Sequence, residues 1–216
     1  TALMSVEKLK MKLEQSEKEG KLPKIVIPVH FSGQPCDMKQ IYKLGKKYGF
    51  YIVEDAAHAI GSYYDNIPTG SCRYSDITVF SFHPVKIITT GEGGATLTNN
   101  KILAKKMLLL RSHGITKKNS EISQKLKNPW GYEQILLGYN YRLSDINAAL
   151  GNSQIDRIDM YIKRRTEIAS WYHKKFDSIG IDRLKQLNGR NSSHHLYIIK
   201  APKNSDRGKI YSFLSR

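Results

Sequence analysis

Lys86 closes the run Ser81-Phe82-His83-Pro84-Val85-Lys86 and leads into Thr89-Thr90-Gly91-Glu92-Gly93-Gly94. A lysine can attach a carbonyl compound through its amine and afterwards carry a proton. Upstream, Ile52-Val53-Glu54-Asp55-Ala56-Ala57-His58 reads as a buried strand that delivers one carboxylate, Asp55, at its C-terminal end. A carboxylate there can face the protonated nitrogen of a heteroaromatic ring. The Ser81 hydroxyl and the glycine turn offer donors for a phosphate. A strand-end acid, a hydroxyl and a lysine before a glycine turn together suit a site for pyridoxal phosphate (PLP), whose ring must stay protonated to act as an electron sink. Each residue also has a plainer reading. Asp55 fits a helix cap or turn former, Lys86 is one of 35 basic residues, and His58 fits a satisfied core histidine. Ser81 could simply end a strand, and the glycines could form an ordinary turn.

The elements needed to position these residues are legible in the pattern. Ser5 caps a predicted helix that Gly20 ends, with Val6, Leu9 and Leu13 at helical spacing. Residues 25–30 read as a strand despite Pro28. Asp37 caps the next helix, which Gly49 closes, and residues 50–55 form a continuous run of the kind buried on both faces. Strand, helix, strand in this order implies parallel pairing. In an open sheet of this kind, sites form at the carboxyl ends of the strands, where Asp55 and Lys86 both fall.

Further along, residues 65–75 read as a polar loop, 77–82 as a third strand and 95–98 as a fourth. Asn100 caps a helix to Arg111, with Gly114 just past its end, and residues 115–138 are the least regular part. Ser144 caps a long helical stretch to about Phe176, with Gly151 as a candidate bend. Residues 194–200 read as a strand outside the first sheet, and a final helix begins at Arg207. The expected domains are 1–150, a partial cofactor-binding large domain; 151–179, a long connecting helix; and 180–216, the beginning of a small C-terminal domain.

The chain has 216 residues and a net charge of +16, enough to attract polyanions such as nucleic acid, an acidic membrane or a nucleotide diphosphate. The charge is spread out; its richest stretch holds Lys101, Lys105, Lys106, Arg111, Lys117, Lys118, Lys125 and Lys127. Without a zinc knuckle or basic heptads beside it, a solvated lysine-rich surface is expected rather than a nucleic-acid module. No apolar run approaches the roughly 20 residues of a membrane span. Cys36 and Cys72 suggest neither a metal site nor a disulfide framework, so a cytoplasmic setting is expected.

Several motifs, in order, resemble one family. They are Pro28-Val29-His30-Phe31-Ser32-Gly33-Gln34-Pro35, Glu54-Asp55-Ala56-Ala57-His58-Ala59-Ile60-Gly61, the Ser81 and Thr89 runs above and Arg111-Ser112-His113-Gly114. Gly138-Tyr139-Asn140-Tyr141-Arg142-Leu143-Ser144-Asp145 and Asn147-Ala148-Ala149-Leu150-Gly151 complete the set. The chain thereby resembles the sugar-nucleotide aminotransferases of the DegT/StrS type. The resemblance implies an α/β, type I PLP-dependent (aspartate aminotransferase-like) fold, here with an incomplete large-domain sheet, and PLP as cofactor. It implies that Lys86 attaches the cofactor and shuttles the proton, that Asp55 pairs with the ring nitrogen, that His58 sits beside the ring and that Ser81 binds the phosphate. Asn140 is then expected to reach the cofactor of a neighbouring subunit in a homodimer, with His83 and Arg142 as candidates for substrate contact.

Within the family, the Ser81–Gly94 region is most similar to the branch of pseudaminic acid biosynthesis. That branch implies transfer of an amino group from L-glutamate, which leaves as 2-oxoglutarate, to C4 of a UDP-linked 4-keto-6-deoxy-N-acetylhexosamine. Alternatives are another nucleotide 4-ketosugar as substrate, or a non-catalytic remnant with a binding or assembly role. The family's N-terminal Gly-Thr/Ser-Ala phosphate turn has no match here, and both ends look cut. The expectation is a piece of the enzyme, with the lysine present and much of its pocket outside this chain.

Overall fold

The computed structural model describes residues 1–117, 121–123 and 128–215; Lys118, Lys125 and Lys127 of the basic stretch lie outside them. Helix α1, Val6–Lys18, starts where the Ser5 hydroxyl accepts the Lys8 amide. After the short strand β1, Ile25–Val26, helix α2 spans Met38–Tyr48, capped by Asp37 on the Gln40 amide. Strand β2 is Tyr51–Asp55. Its face carrying Ile52, with Met38, Ile41 and Tyr48 of α2 and Leu13 of α1, forms the main core. The expected strand at 25–30 is shorter than its pattern: Pro28 lacks an amide hydrogen, and pairing resumes only as an isolated bridge from Val29 to Asp55.

β5, Ile77–Ser81, pairs parallel to β2, and β6, Gly94–Leu97, pairs antiparallel to β5. With β1 parallel to β2, the order is β1-β2-β5-β6. Gly94 is required by the β5–β6 pairing, because a Cβ there would lie 2.6 Å from the Phe80 carbonyl oxygen. The sheet is not buried on both faces as the apolar run predicts. Ile25, Ile27, Val29 and Tyr51 are exposed, Tyr51 by 63%, because helices α1 and α2 pack on the opposite face.

The expected loop at 65–75 contains a hairpin. β3, Tyr63–Tyr64, and β4, Ile67–Pro68, flank Asp65 and Asn66, both at positive φ, and β9, Arg190–Asn191, adds to β3. Helix α3, Lys101–Arg111, begins at the Asn100 cap as expected. Among the described residues of the irregular part, β7, Ile115–Thr116, pairs with β8, Glu133–Gln134.

The long helix is two helices. α4, Asp145–Ile155, is capped by Ser144, and α5, Ile158–Ser178, follows a break at Asp156–Arg157. Gly151 is therefore not the bend; it lies inside α4, where a Cβ would meet the Thr90 methyl at 2.7 Å. The predicted strand at 194–200 does not form. Only Ile199 bridges, to Arg183, because His194 takes positive φ and the preceding segment turns into the Phe31–Gly33 turn instead. Helix α6 is Arg207–Leu214.

Candidate functional site

Asp55 lies at the C-terminal end of β2. Its backbone closes the bridge to the first strand segment, with its amide on Pro28 O and its carbonyl accepting the His30 amide, both at 3.0 Å. The Ala57 amide holds one carboxylate oxygen at 3.0 Å, which turns the chain toward His58 and leaves the acid part-buried rather than in solvent. At the end of the neighbouring strand β5, Ser81 is likewise part-buried, and its hydroxyl receives the His83 amide at 3.4 Å.

The loop after Ser81 is fixed at both ends. Phe82 donates to Gly93 O at 2.8 Å, and its own carbonyl accepts the Thr90 amide and the Thr89 hydroxyl. Helix α4 braces the far side: Gln154 accepts the Thr89 amide, and Asn147 donates to Glu92 O. Within this frame the Lys86 amide bonds His83 O at 2.9 Å, and the next two residues, Ile87 and Ile88, are buried. The lysine is thus rooted in packed backbone although its own side chain is part-exposed.

His58 joins these two strand ends electrostatically. Burial and the nearby charge of Lys86 lower its pKa, against the opposing pull of Asp55. His58 thus lies within electrostatic reach of both Asp55 and Lys86, near the carboxyl ends of β2 and β5, where open α/β sheets bind ligands. The Ser32 amide donates to His58 Nδ1 at 3.3 Å, so the neutral ring carries its proton on Nε2.

A further residue that the sequence reading passed over is His195. Its ring lies 4.5 Å from that of His58, tilted by 40°. Its Nδ1 is buried and finds no hydrogen-bond partner among the described residues. Burial, then His58, Lys86 and Arg165, depress its pKa to about 4, so it is neutral at pH 7. Arg165 of α5 fixes this segment by donating to the carbonyls of His194 and His195 at 3.1 and 3.3 Å. The only sequence signal was the pair of histidines after Ser192-Ser193, and nothing local says which ring turns inward.

The remaining candidates lie apart. His83 is exposed, its Nε2 3.9 Å from Glu92. Asn140 and Arg142 are exposed too, and Asn140 forms a bridge with Ser112. No described contact joins either to Asp55, His58 or Lys86 within this chain.

A profile of the DegT/DnrJ/EryC1/StrS aminotransferase family matches residues 1–216. A UDP-4-amino-4,6-dideoxy-N-acetyl-beta-L-altrosamine transaminase of Campylobacter jejuni (strain 81-176) is 45% identical over 172 residues, covering 79% of this chain and 43% of the relative. Among solved structures, Helicobacter pylori PseC, an aminotransferase involved in pseudaminic acid biosynthesis, superposes with a TM-score of 0.82 at 31% identity. It matches over 99% of this chain and 52% of its own. The PLP form of the sugar aminotransferase Spr1654 from Streptococcus pneumoniae gives 0.81 at 29% identity, over 100% of this chain and 56% of that one. This chain spans about half the length of the relatives it matches. With the matching motifs spread from Pro28 to Gly151 and the fold superposing throughout, the chain belongs to the DegT/DnrJ/EryC1/StrS aminotransferase family, whose members have the type I PLP-dependent fold.

Proposed function

We propose that this chain provides the lysine, the acid and the phosphate ligand of a PLP-dependent aminotransferase. The reaction would move an amino group from L-glutamate to C4 of a UDP-linked 4-keto-6-deoxy-N-acetylhexosamine. The observation that carries this reading is that Asp55 and Ser81 end two adjacent parallel strands, with Lys86 rooted in the braced loop that follows Ser81 and within electrostatic reach of His58. The residues present suit the cofactor: a carboxylate for a ring nitrogen, an amine for an aldehyde, a strand-end hydroxyl for a phosphate, and a buried unpartnered nitrogen on His195 beside them.

When bound, PLP supplies the electron sink that lets the proton beside the amino group leave. Asp55, anchored through the Ala57 amide, would keep the ring nitrogen protonated. Lys86 would hold the cofactor by its aldehyde and, once displaced by the incoming amine, take and return the proton at its Nζ. Ser81 would donate its hydroxyl to the phosphate. His58 would present its Nε2–H beside the ring, held in that tautomer by the Ser32 amide. Asn140, turned outward here, would serve the cofactor of a second subunit in a homodimer. His83 and Arg142, also outward, are the candidates for substrate contact.

Adding PLP to the folded chain is expected to give the visible absorbance of a lysine-bound cofactor, absent in Lys86→Ala. A folded chain with no such band overturns cofactor binding. Turnover with glutamate against UDP-, GDP- and dTDP-linked 4-ketosugars reads the substrate. The UDP-N-acetylhexosamine derivative is expected to be preferred, and preference for another sugar would place the chain in a different branch of the family.

A further inference from the structure

Next to Asp55 in sequence, and on the opposite face of β2, lies a buried polar cluster that none of the steps above uses. Glu54 is 5% exposed and His30 is fully buried. Glu54 Oε2 lies 2.7 Å from His30 Nε2, while Oε1 accepts the hydroxyls of Thr78, at 2.9 Å, and Ser75. Burial pushes the Glu54 carboxyl up, but the bonds from His30, Ser75 and Thr78 outweigh it and bring its pKa below the ordinary value. Burial also opposes a charge on His30, whereas Cys36 and Glu54 favour one. The Cys36 amide decides between these influences. It can only donate, and it points at Nδ1 from 3.2 Å, so that nitrogen must offer a lone pair. The ring is neutral, with its proton on Nε2 toward Glu54.

His30 begins the turn that meets His58. Gly33 donates to His30 O at 3.2 Å, and Ser32 sits between them at φ 66, a conformation that a serine holds only when its surroundings enforce it. The same turn takes the Leu196 and Ser193 amides on the carbonyls of Ser32 and Gly33, and the Ser193 hydroxyl bonds His58 O at 3.0 Å. A buried ion or polar pair is seldom the most stable way to fill a space. What this one does is fix the direction of a backbone amide.

We propose that His30 and Glu54 are positioning residues for His58: by clamping the His30–Gly33 turn to β2, they hold the Ser32 amide on His58 Nδ1 and so keep the His58 donor proton on Nε2, facing the site. The inference rests on the proposed function only for what that proton meets; the tautomer itself needs no cofactor.

The test is a long-range proton–nitrogen correlation spectrum of the histidine rings at pH 7.5, with His58 assigned through His58→Gln. The wild-type chain is expected to show His58 as the single Nε2–H tautomer. Glu54→Gln and His30→Asn, each shown to be folded by circular dichroism, are expected to lose that single pattern and to speed hydrogen exchange of the Ser32 amide. If neither variant folds, Thr78→Val, which removes one of the donors to Glu54, takes their place with the same expectation. An Nδ1–H tautomer in the wild type, or an unchanged Nε2–H pattern in the folded variants, overturns the proposal. Failure of the chain to bind PLP with the tautomer result intact would sink the functional reading and leave this one standing.

Discussion

Asp55, three residues before His58, and His195, far along the chain, both act on His58, and each makes a different prediction. Asp55→Asn keeps the shape of the side chain and an oxygen for the Ala57 amide, so stability should change little. What is lost is a charge-assisted bond to the ring nitrogen, worth about 1.5–3 kcal/mol. PLP affinity should therefore fall by roughly 10- to 100-fold in an absorbance titration, and an unchanged affinity would remove Asp55 from the role proposed for it. His195 is a stability residue as well as a site neighbour. Its folded pKa is about 4 against 6.5 for the free side chain, so the unfolded chain binds the extra proton between those values. The contribution is fully present above pH 6.5 and is lost as the pH falls through 4. Because the ring is part-exposed, we discount the full shift and expect about 1 kcal/mol. Urea denaturation at pH 7.5 and pH 5 should show lower stability at pH 5, with the gap narrowed in His195→Phe. His58, His173 and His194, lowered in the same direction, keep some of it. An equal gap in the variant would show that His195 is not buried as described.

At the scale of elements, what was legible in the sequence was local. Ser5, Asp37, Asn100 and Ser144 each cap the helix expected of them, since a cap is a bond within four residues. The strand ends that carry Asp55 and Ser81 were legible for the same reason: a short apolar run followed by polar residues. Apart from the strand cut short at Pro28, the hairpin at 63–68 and the helix break at Asp156–Arg157, which are local, the failures involve partners far along the chain. Residues 194–200 have strand composition, yet the sequence does not say that Ser193 and Leu196 will spend their amides on the turn at Gly33 and Ser32. The approach of His195 to His58 was hidden with it. Gly151 was misread likewise: a glycine in a helix suggests a bend, whereas here it admits the Thr90 methyl. Placing alanine there would normally add about 1 kcal/mol of helix stability. In this position the methyl meets Thr90 at 2.7 Å, so Gly151→Ala should instead destabilise by about 1–2 kcal/mol. Thr90→Ser keeps the hydroxyl bond to Glu92 O and removes the obstructing methyl. Most of the loss should then be recovered in the double variant, a coupling that urea denaturation of the four proteins measures. Additive effects would show that α4 does not press on the Thr89–Gly93 loop that frames Lys86.

For the molecule as a whole, the distribution of exposed apolar side chains bears on the second subunit that the proposed function needs. Leu137, Tyr141 and Ile146 are exposed by 85%, 72% and 83%, and Tyr139, Leu143 and Leu150 lie exposed along the same stretch of chain. Tyr139 and Tyr141 stack on each other at 4.9 Å, with Asn140 between them in sequence. Exposed apolar side chains gathered along one stretch in this way mark an interaction site more often than free surface, and a second copy seated on them would meet Asn140 between the two tyrosines. A net charge of +16 works against close approach of two copies, so association should strengthen as salt screens the repulsion. Sedimentation of the chain is expected to show a dimer that tightens from low to physiological salt. Ile146→Asp should weaken it by at least about 30-fold, since burying an unpaired carboxylate at an interface costs about 2 kcal/mol or more. Asn140→Ala should leave the dimer intact and lower its retention of PLP, which separates an assembly defect from a site defect. A wild-type monomer, or a dimer indifferent to Ile146→Asp, would mean that this apolar stretch is not where a second copy binds, and the proposed role of Asn140 would fall with it.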